Sequence, residues 1–263
     1  MQLSGKRIWL TGASMGIGEA LAQALADAGA SLILSARSLD KLQSLKASLP
    51  HAERHTVVQL DLADADSLAA VVADTLGNEP GLDVLINNGG ISQRGLARET
   101  DLSVQRQVME VNYFGTIALT QAILPHLLSR QGMVVNIASV AGKVGGQSMS
   151  GYSASKHALI GYMDCLRAEE TVNGLKVLNV CPGFVQTNIS VNALTEHGDT
   201  FGKVARSIAE GITPQECANA ILKAMEKEKY EVVIGKGLSG WAPTIKRWLP
   251  NLFFRITANK NIR

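Results

Sequence analysis

Thr11-Gly12-Ala13-Ser14-Met15-Gly16-Ile17-Gly18 follows a short apolar run and leads into a stretch with helical periodicity. Residues 7–10 read as a strand. Ile17, Ala20, Leu21, Ala24, Leu25 and Ala28 then recur at three- and four-residue intervals, giving one apolar face, and Gly29 supplies a stop. Glycines between a strand and a helix let the backbone approach a pyrophosphate. The free N–H groups and positive dipole end of the helix favour its charge. The spacing is Gly-x3-Gly-x-Gly, not the commoner Gly-x-Gly-x2-Gly. A tight turn without a ligand would use the same residues, so the reading leans on the placement after the first strand.

Outward from this motif, β-rich apolar runs alternate with longer helical segments. Strands are expected at residues 7–10, 31–35, 56–60, 84–87, 133–138, 177–181 and 231–234. Most are continuous apolar runs, as parallel strands covered on both faces require. Thr213-Pro214-Gln215-Glu216 starts a late helix with an N-cap, a first-position proline and a glutamate able to close a capping box. The fold class is α/β, a doubly wound Rossmann-type parallel sheet of about seven strands with helices on both faces. No repeat or linker splits the chain. Residues 1–263 read as one domain, with a core over 1–238 and a basic aromatic tail over 239–263.

Composition sets the outer bounds. The 263 residues are 46% hydrophobic and 18% charged, ample for a buried core. A net charge of +2 gives no nucleic-acid footprint. Cys165, Cys181 and Cys217 are odd in number and widely spaced, which reads as free thiols in a reducing compartment. No metal is expected: His51 and His55 are four apart, but in a polar segment around Pro50 that reads as a loop. The first residues lack a signal-peptide core, and no run reaches the ~20 apolar residues of a membrane-spanning helix. The expected location is cytoplasmic.

Ser35-Ala36-Arg37-Ser38 closes the second strand, and no carboxylate appears until Asp40. A site for a 2′-hydroxyl ribose usually places an acid there. Arg37 instead suits a 2′-phosphate, although a solvated arginine opening the next helix is the plain alternative. Asp61, after the third strand, suits either an adenine edge or a cap on the following helix.

Thr11-Gly12-x3-Gly16-x-Gly18, Asn87-Asn88-Gly89-Gly90, Asn112, Ser139, Tyr152-x3-Lys156 and Pro182-Gly183 occur in one order. In that order and spacing the chain resembles the short-chain dehydrogenase/reductase family from about Lys6 to Ile234. Two departures are small: Gly89 stands where the family more often has alanine, and Ala138 where it often has a second serine. Ser150-Gly151-Tyr152-Ser153-Ala154-Ser155-Lys156-His157-Ala158, Asn188-Ile189-Ser190-Val191-Asn192-Ala193 and Leu249-Pro250-Asn251-Leu252-Phe253-Phe254 are similar to its dehydrogenase/reductase member 7B branch.

The chemistry explains why these types belong together. Hydride transfer to a carbonyl leaves an alkoxide that needs a proton, and the reverse reaction needs a base. A tyrosine, ordinarily near pKa ~10, must be lowered to work near neutrality. Tyr152 and Lys156 share a helix face, and an ammonium would favour the phenolate. Ser139 offers a hydroxyl to the substrate oxygen as charge develops.

The resemblance implies further roles. Lys156 grips the nicotinamide ribose, Asn112 holds a water in a proton relay, and Asn88 lies beside the cofactor ribose. Pro182, Gly183 and Thr187 line the carboxamide. Together these place NADP(H) against Gly12, Ser14, Met15, Gly16, Ile17 and Gly18, then Arg37, Asp61 and Leu62. Further contacts fall at Asn88 and Gly89, at Tyr152 and Lys156, and along Pro182, Gly183, Val185 and Thr187. The expected reaction is interconversion of a carbonyl and an alcohol, on a lipid- or steroid-like substrate as the branch implies. Two alternatives stay open: a 3-oxoacyl-thioester reductase, and a non-catalytic sensor of NADP(H). Residues 184–211 are expected to cover the substrate.

Two surfaces suggest partners. The segments 104–128 and 152–172 read as long helices with more apolar surface than one sheet face covers, and relatives pair them across a homodimer or homotetramer. From Trp241 on there is no acid, while Lys246, Arg247, Arg255, Lys260 and Arg263 are basic. Trp241, Ile245, Trp248, Leu249, Leu252, Phe253 and Ile256 follow helical spacing on one face, and Pro243 and Pro250 are expected to break the segment. Such a stretch either lies peripherally on a membrane or packs on protein.

Overall fold

The computed structural model describes residues 1–77 and 81–258. Seven strands form one sheet: β1 (Arg7–Thr11), β2 (Ser31–Ala36), β3 (Thr56–Gln59), β4 (Val84–Asn87), β5 (Met133–Ile137), β6 (Lys176–Pro182) and β7 (Glu231–Ile234). Their order is β3-β2-β1-β4-β5-β6-β7, and every pairing is parallel. The central strands are mostly apolar because both faces are covered, and Ile8, Trp9, Leu10, Leu85, Val134 and Val135 have no exposed surface.

The helices are α1 (Gly16–Asp27), α2 (Leu39–Ser48), α3 (Leu68–Leu76), α4 (Leu102–Met109), α5 (Gly115–Leu128), α6 (Ser150–Glu170), α7 (Arg206–Ala209), α8 (Pro214–Glu226), α9 (Leu238–Trp248) and α10 (Pro250–Ala258). One core lies between the sheet and α1, α2 and α8, and a second between the sheet and α3, α5 and α6. Thr213 starts α8 with the expected capping box: its Oγ1 accepts from the Glu216 N–H (3.1 Å), and the Glu216 carboxylate accepts from the Thr213 N–H (2.8 Å).

Strand order reverses between β1 and β4. The loops after these strands therefore diverge and leave a crevice at the carboxyl end of the sheet, where ligands bind in folds of this kind.

Two expectations are corrected. The helix over residues 104–128 is interrupted by a π turn, Glu110–Phe114, joining α4 to α5. Pro250 does separate two helices, at the first position of α10, but Pro243 lies inside α9. At the sixth helical position its ring meets only the first turn, so one backbone bond is forfeited and the helix continues. With two helices the tail has no single apolar face. Ala242 and Phe253 are buried, whereas Trp241 (65% exposed) and Trp248 (74%) face outward with Leu249, Leu252 and Phe254. Lys260 and Arg263 lie outside the described residues.

Candidate active site

The carboxyl ends of β4, β5 and β6 surround one cavity of about 510 Å³. Ser139, directly after β5, accepts from the Ala141 N–H (3.1 Å) and so caps a short turn. Tyr152 sits in the first turn of α6 and Lys156 one turn later; both are buried. The Tyr152 phenol lies close enough to the Ser139 hydroxyl to feel it, and Ser139 Oγ donates to the Pro182 carbonyl (3.4 Å). Lys156 Nζ donates to the Ile137 carbonyl (3.0 Å) and stands 6.0 Å from the Tyr152 ring centroid.

Burial dominates the electrostatics. It pushes the Tyr152 phenol up, against the opposing influences of Ser139 and the Arg94 guanidinium. The expected lowering of this tyrosine is therefore not a property of the protein by itself. Desolvation costs the phenolate more than its neighbours return. Burial also pushes Lys156 down to about 8. The nearby Cys181 thiol is itself pushed up to about 12, so it carries no charge in that range to offset the loss.

Asn112 lies in the π turn, fully buried. Its Oδ1 accepts from the Ile91 N–H (2.8 Å), and its Nδ2 donates to the Ile91 carbonyl (2.9 Å) and to Ser155 Oγ (3.0 Å). Both amide protons are thus committed to holding the loop after β4 against α6. The implied water-holding role falls on an oxygen of this residue, not on its N–H groups.

On the other side of the cavity lies the glycine-rich loop. Gly12 and Gly16 have φ of 62° and 60°, and a Cβ on Gly18 would stand 2.1 Å from the Gly12 carbonyl oxygen. Asn88 Nδ2 donates to the carbonyls of Thr11 (3.0 Å) and Gly12 (3.1 Å), while Thr11 Oγ1 accepts from the N–H groups of Asn88 (3.0 Å) and Gly89 (2.9 Å). Asn88 therefore clamps the loop as well as lining the cavity. The N-terminus of α1 has no side-chain cap, so its first N–H groups are free for a ligand, while the glycines let the loop pack closely against Asn88, Gly89 and Thr187. This combination fits a pyrophosphate.

Ile17, Pro182, Gly183, Val185 and Thr187 line the same cavity, and Thr187 faces Gly16. Ser14 lines a shallow hollow with Asp40 and Lys41. Arg37 is exposed just beyond β2, beside the glycine loop, because the Ala13 N–H donates to the Ser35 carbonyl (3.2 Å). Met15 meets Asn192 through its sulfur (3.7 Å). Leu62 explains Gly89: its Cδ1 would stand 2.7 Å from an added Cβ, so the leucine occupies the space an alanine methyl would need. Asp61 accepts from the Ala63 N–H (3.0 Å), a local turn rather than a helix cap.

The cavity walls are apolar. Phe184, Ile189, Ile208 and Ile212 come from residues 184–212, and Ala242, Ile245, Phe253 and Ile256 from α9 and α10. Sequence reasoning missed the tail helices as walls, although the Ile245 and Phe253 periodicity signalled an inward face. It also missed Arg94, on the loop after β4, which lines the cavity beside Tyr152. His51 and His55 form no metal site: His55 Nδ1 accepts from the Leu32 N–H (3.2 Å) and its Nε2 contacts the Pro50 carbonyl (3.0 Å). No metal-binding group of side chains occurs among the described residues.

This sheet, glycine loop and Ser–Tyr–Lys arrangement belong to a known class, and residues 6–198 match the short chain dehydrogenase family, to which the chain belongs. It is accordingly an NAD(P)-dependent oxidoreductase acting on CH–OH and C=O groups. The chain is 41% identical to mouse dehydrogenase/reductase SDR family member 7B over 257 residues, 95% of this chain and 80% of the relative. A short-chain dehydrogenase from Streptomyces avermitilis is similar in structure, with TM-score 0.82, 31% identity and 97% and 96% of the two chains covered. Another, from Burkholderia cenocepacia in complex with NADP, has TM-score 0.81, 26% identity and coverage of 99% and 100%.

Proposed function

We infer that the chain interconverts an alcohol and its carbonyl on an apolar, lipid- or steroid-like body, with NADP(H) preferred over NAD(H). The observation that carries this is the convergence of Ser139, Tyr152 and Lys156 on one floor of a cavity with largely apolar walls. When bound, the nicotinamide supplies or accepts the hydride. Ser139 donates to the substrate oxygen as negative charge grows on it. Tyr152 gives that oxygen its proton in reduction and takes the proton in oxidation. Lys156 places its ammonium behind the ring, where it lowers the cost of the phenolate. Its Nζ, already held by the Ile137 carbonyl, keeps further donors for a ribose hydroxyl. Asn112 fixes the loop after β4 against α6, the helix that carries Tyr152 and Lys156.

Arg37 supports the cofactor choice. It is exposed beside the glycine loop, and no acid pairs with it among the described residues. The Burkholderia relative, with NADP bound, is consistent with that preference. The thioester alternative fits less well, because residues 184–212 and α9–α10 wall the cavity with apolar side chains. A sensor without turnover would have no chemical need for the three polar groups on one floor. The test is NADPH oxidation with ketones, aldehydes and acyl thioesters. Turnover of apolar ketones above thioesters supports the reading, and turnover of none of them overturns it.

The chain works as one domain in this reading, with the tail built into the cavity wall. Trp241, Trp248 and Leu252 point outward beside Arg247 and Arg255, an arrangement that suits the headgroup region of an anionic membrane. No described helix is long and apolar enough to cross one. Contact would be peripheral, next to the wall through which an apolar substrate enters. Where the π turn meets α6, exposed Phe114 stacks edge-on with Tyr113, which does the same with Tyr162. This aromatic face suits a symmetric homodimer, and a monomer in sedimentation at micromolar concentration would exclude it.

A further inference from the structure

Four charged residues line the cavity: Arg94, Lys156, Glu210 and Lys236. Three are engaged. Glu210 accepts from Arg206 (2.8 Å), Lys236 pairs with Glu216 (3.1 Å), and Lys156 donates to the Ile137 carbonyl. Arg94 has no hydrogen-bond or ion-pair partner for its side chain among the described residues, and its Nε is buried without an acceptor. A guanidinium stays charged at any pH the fold survives, and a half-buried charge without a partner is a cost that a ligand can remove.

The position of Arg94 is built, not incidental. Its N–H donates to the Leu194 carbonyl (2.7 Å). Gln93 before it donates to Thr100 (3.0 Å) and accepts from the Gly151 N–H (3.3 Å), and the Gly95 N–H after it donates to the Ser148 carbonyl (3.1 Å). The loop is thereby fastened to the start of α6, one residue from Tyr152. The two side chains share the cavity, and the guanidinium charge acts on the phenol.

We propose that Arg94 is a substrate-anchoring residue that pairs with a carboxylate on the substrate, so that the favoured substrates are hydroxy or oxo acids with an apolar chain. This rests on the oxidoreductase reading above and names its substrate class. One free cation matches a single negative charge. The planar fork of a guanidinium matches a carboxylate in two parallel hydrogen bonds. The apolar walls from residues 184–212 and from α9 and α10 then receive the chain. In the oxidation, the hydroxyl proton passes to Tyr152 and the hydride to NADP⁺, leaving an oxo acid and NADPH.

The test compares unmodified protein with Arg94→Met and Arg94→Lys. Oxidation of 2- and 3-hydroxydodecanoate is measured with NADP⁺ beside 2-dodecanol, and dodecanoate is titrated calorimetrically into the NADP⁺-loaded protein. The kcat/KM ratio of acid to neutral alcohol should fall ten- to hundred-fold in Arg94→Met, the scale of a charge-assisted hydrogen bond. Arg94→Lys should recover part of it. Dodecanoate should bind Arg94→Met at least ten-fold more weakly. Equal dodecanoate affinity in the two proteins overturns the proposal whatever the turnover. An unchanged acid-to-alcohol ratio overturns it too, since a purely structural or tyrosine-tuning role would lower both rates together. Absence of all turnover with dodecanoate binding still lost in Arg94→Met refutes the oxidoreductase reading and leaves the anchor standing.

Discussion

Replacing Lys156 with methionine should stabilise the protein in the absence of cofactor while disabling the reaction. The lysine is buried, and its pKa falls from 10.5 to about 8. A shift of that size corresponds to about 3 kcal/mol of cost for carrying the charge in the folded state. Against it stands the hydrogen bond to the Ile137 carbonyl, worth about 1.5 kcal/mol. Lys156→Met should therefore gain about 2 kcal/mol at pH 7, or roughly 4–8 °C in Tm for a chain of this size.

The sign with pH follows from proton counting. Between about 8 and 10.5 the unfolded chain holds a proton that the folded chain has released, so stability rises with pH by ~1.4 kcal/mol per unit for this group. Its favourable contribution is complete above the unfolded value and is lost as pH falls through about 8. Unmodified protein should then recover about 2 kcal/mol on the variant between pH 8 and 9.5. Urea unfolding at pH 7, 8 and 9.5 measures this. A difference between the two proteins that does not change with pH would refute the reasoning.

Tyr152→Phe should reduce turnover to below a few per cent while NADPH, followed by its fluorescence, still binds. Retained activity would mean that another group moves the proton. Arg37→Ala should erase most of a roughly ten- to hundred-fold preference for NADP(H), the range of a charge-assisted hydrogen bond. Equal affinity for both cofactors in the unmodified protein would remove the basis for that role. His55 is held below its ordinary pKa chiefly by burial, with the backbone bond to Pro50 opposing, and its Nδ1 accepts from Leu32. Its contribution is present above about 6.5 and is lost as pH falls through the lower folded value. Thermal melts from pH 7.5 to 5 should show a decline that is flatter in His55→Gln.

What could be read from the chain divides by range of interaction. All seven strands fall where short β-rich runs place them, and most were plain because a parallel sheet covered on both faces leaves little alternation to misread. The capping box at Thr213 was legible because its partners are three residues apart. The π turn was not: Glu110–Phe114 keeps the composition of the helix around it, and only Asn112 bonding to Ile91 and Ser155 explains the extra residue. Nor was the direction of the Tyr152 shift, since motif spacing brings Lys156 near but says nothing of how deeply both are buried. The tail face failed for a related reason. Residues on both sides of Pro250 were assigned to one apolar face although a break was expected there, and the two axes turn Phe253 inward and Trp248 outward.

The polar floor and the apolar walls come from separate stretches of chain. Side-chain amide bonds of Asn112 and Gln93 to backbone N–H groups lock the floor together, while the walls hang from residues 184–212 and from α9 and α10. Exchanging wall residues such as Phe184, Ile208 or Ile245 would recut the space offered to a substrate without disturbing the groups that handle the proton. Such a division makes the scaffold a ready starting point for redirected selectivity, since shape and chemistry can be altered one at a time.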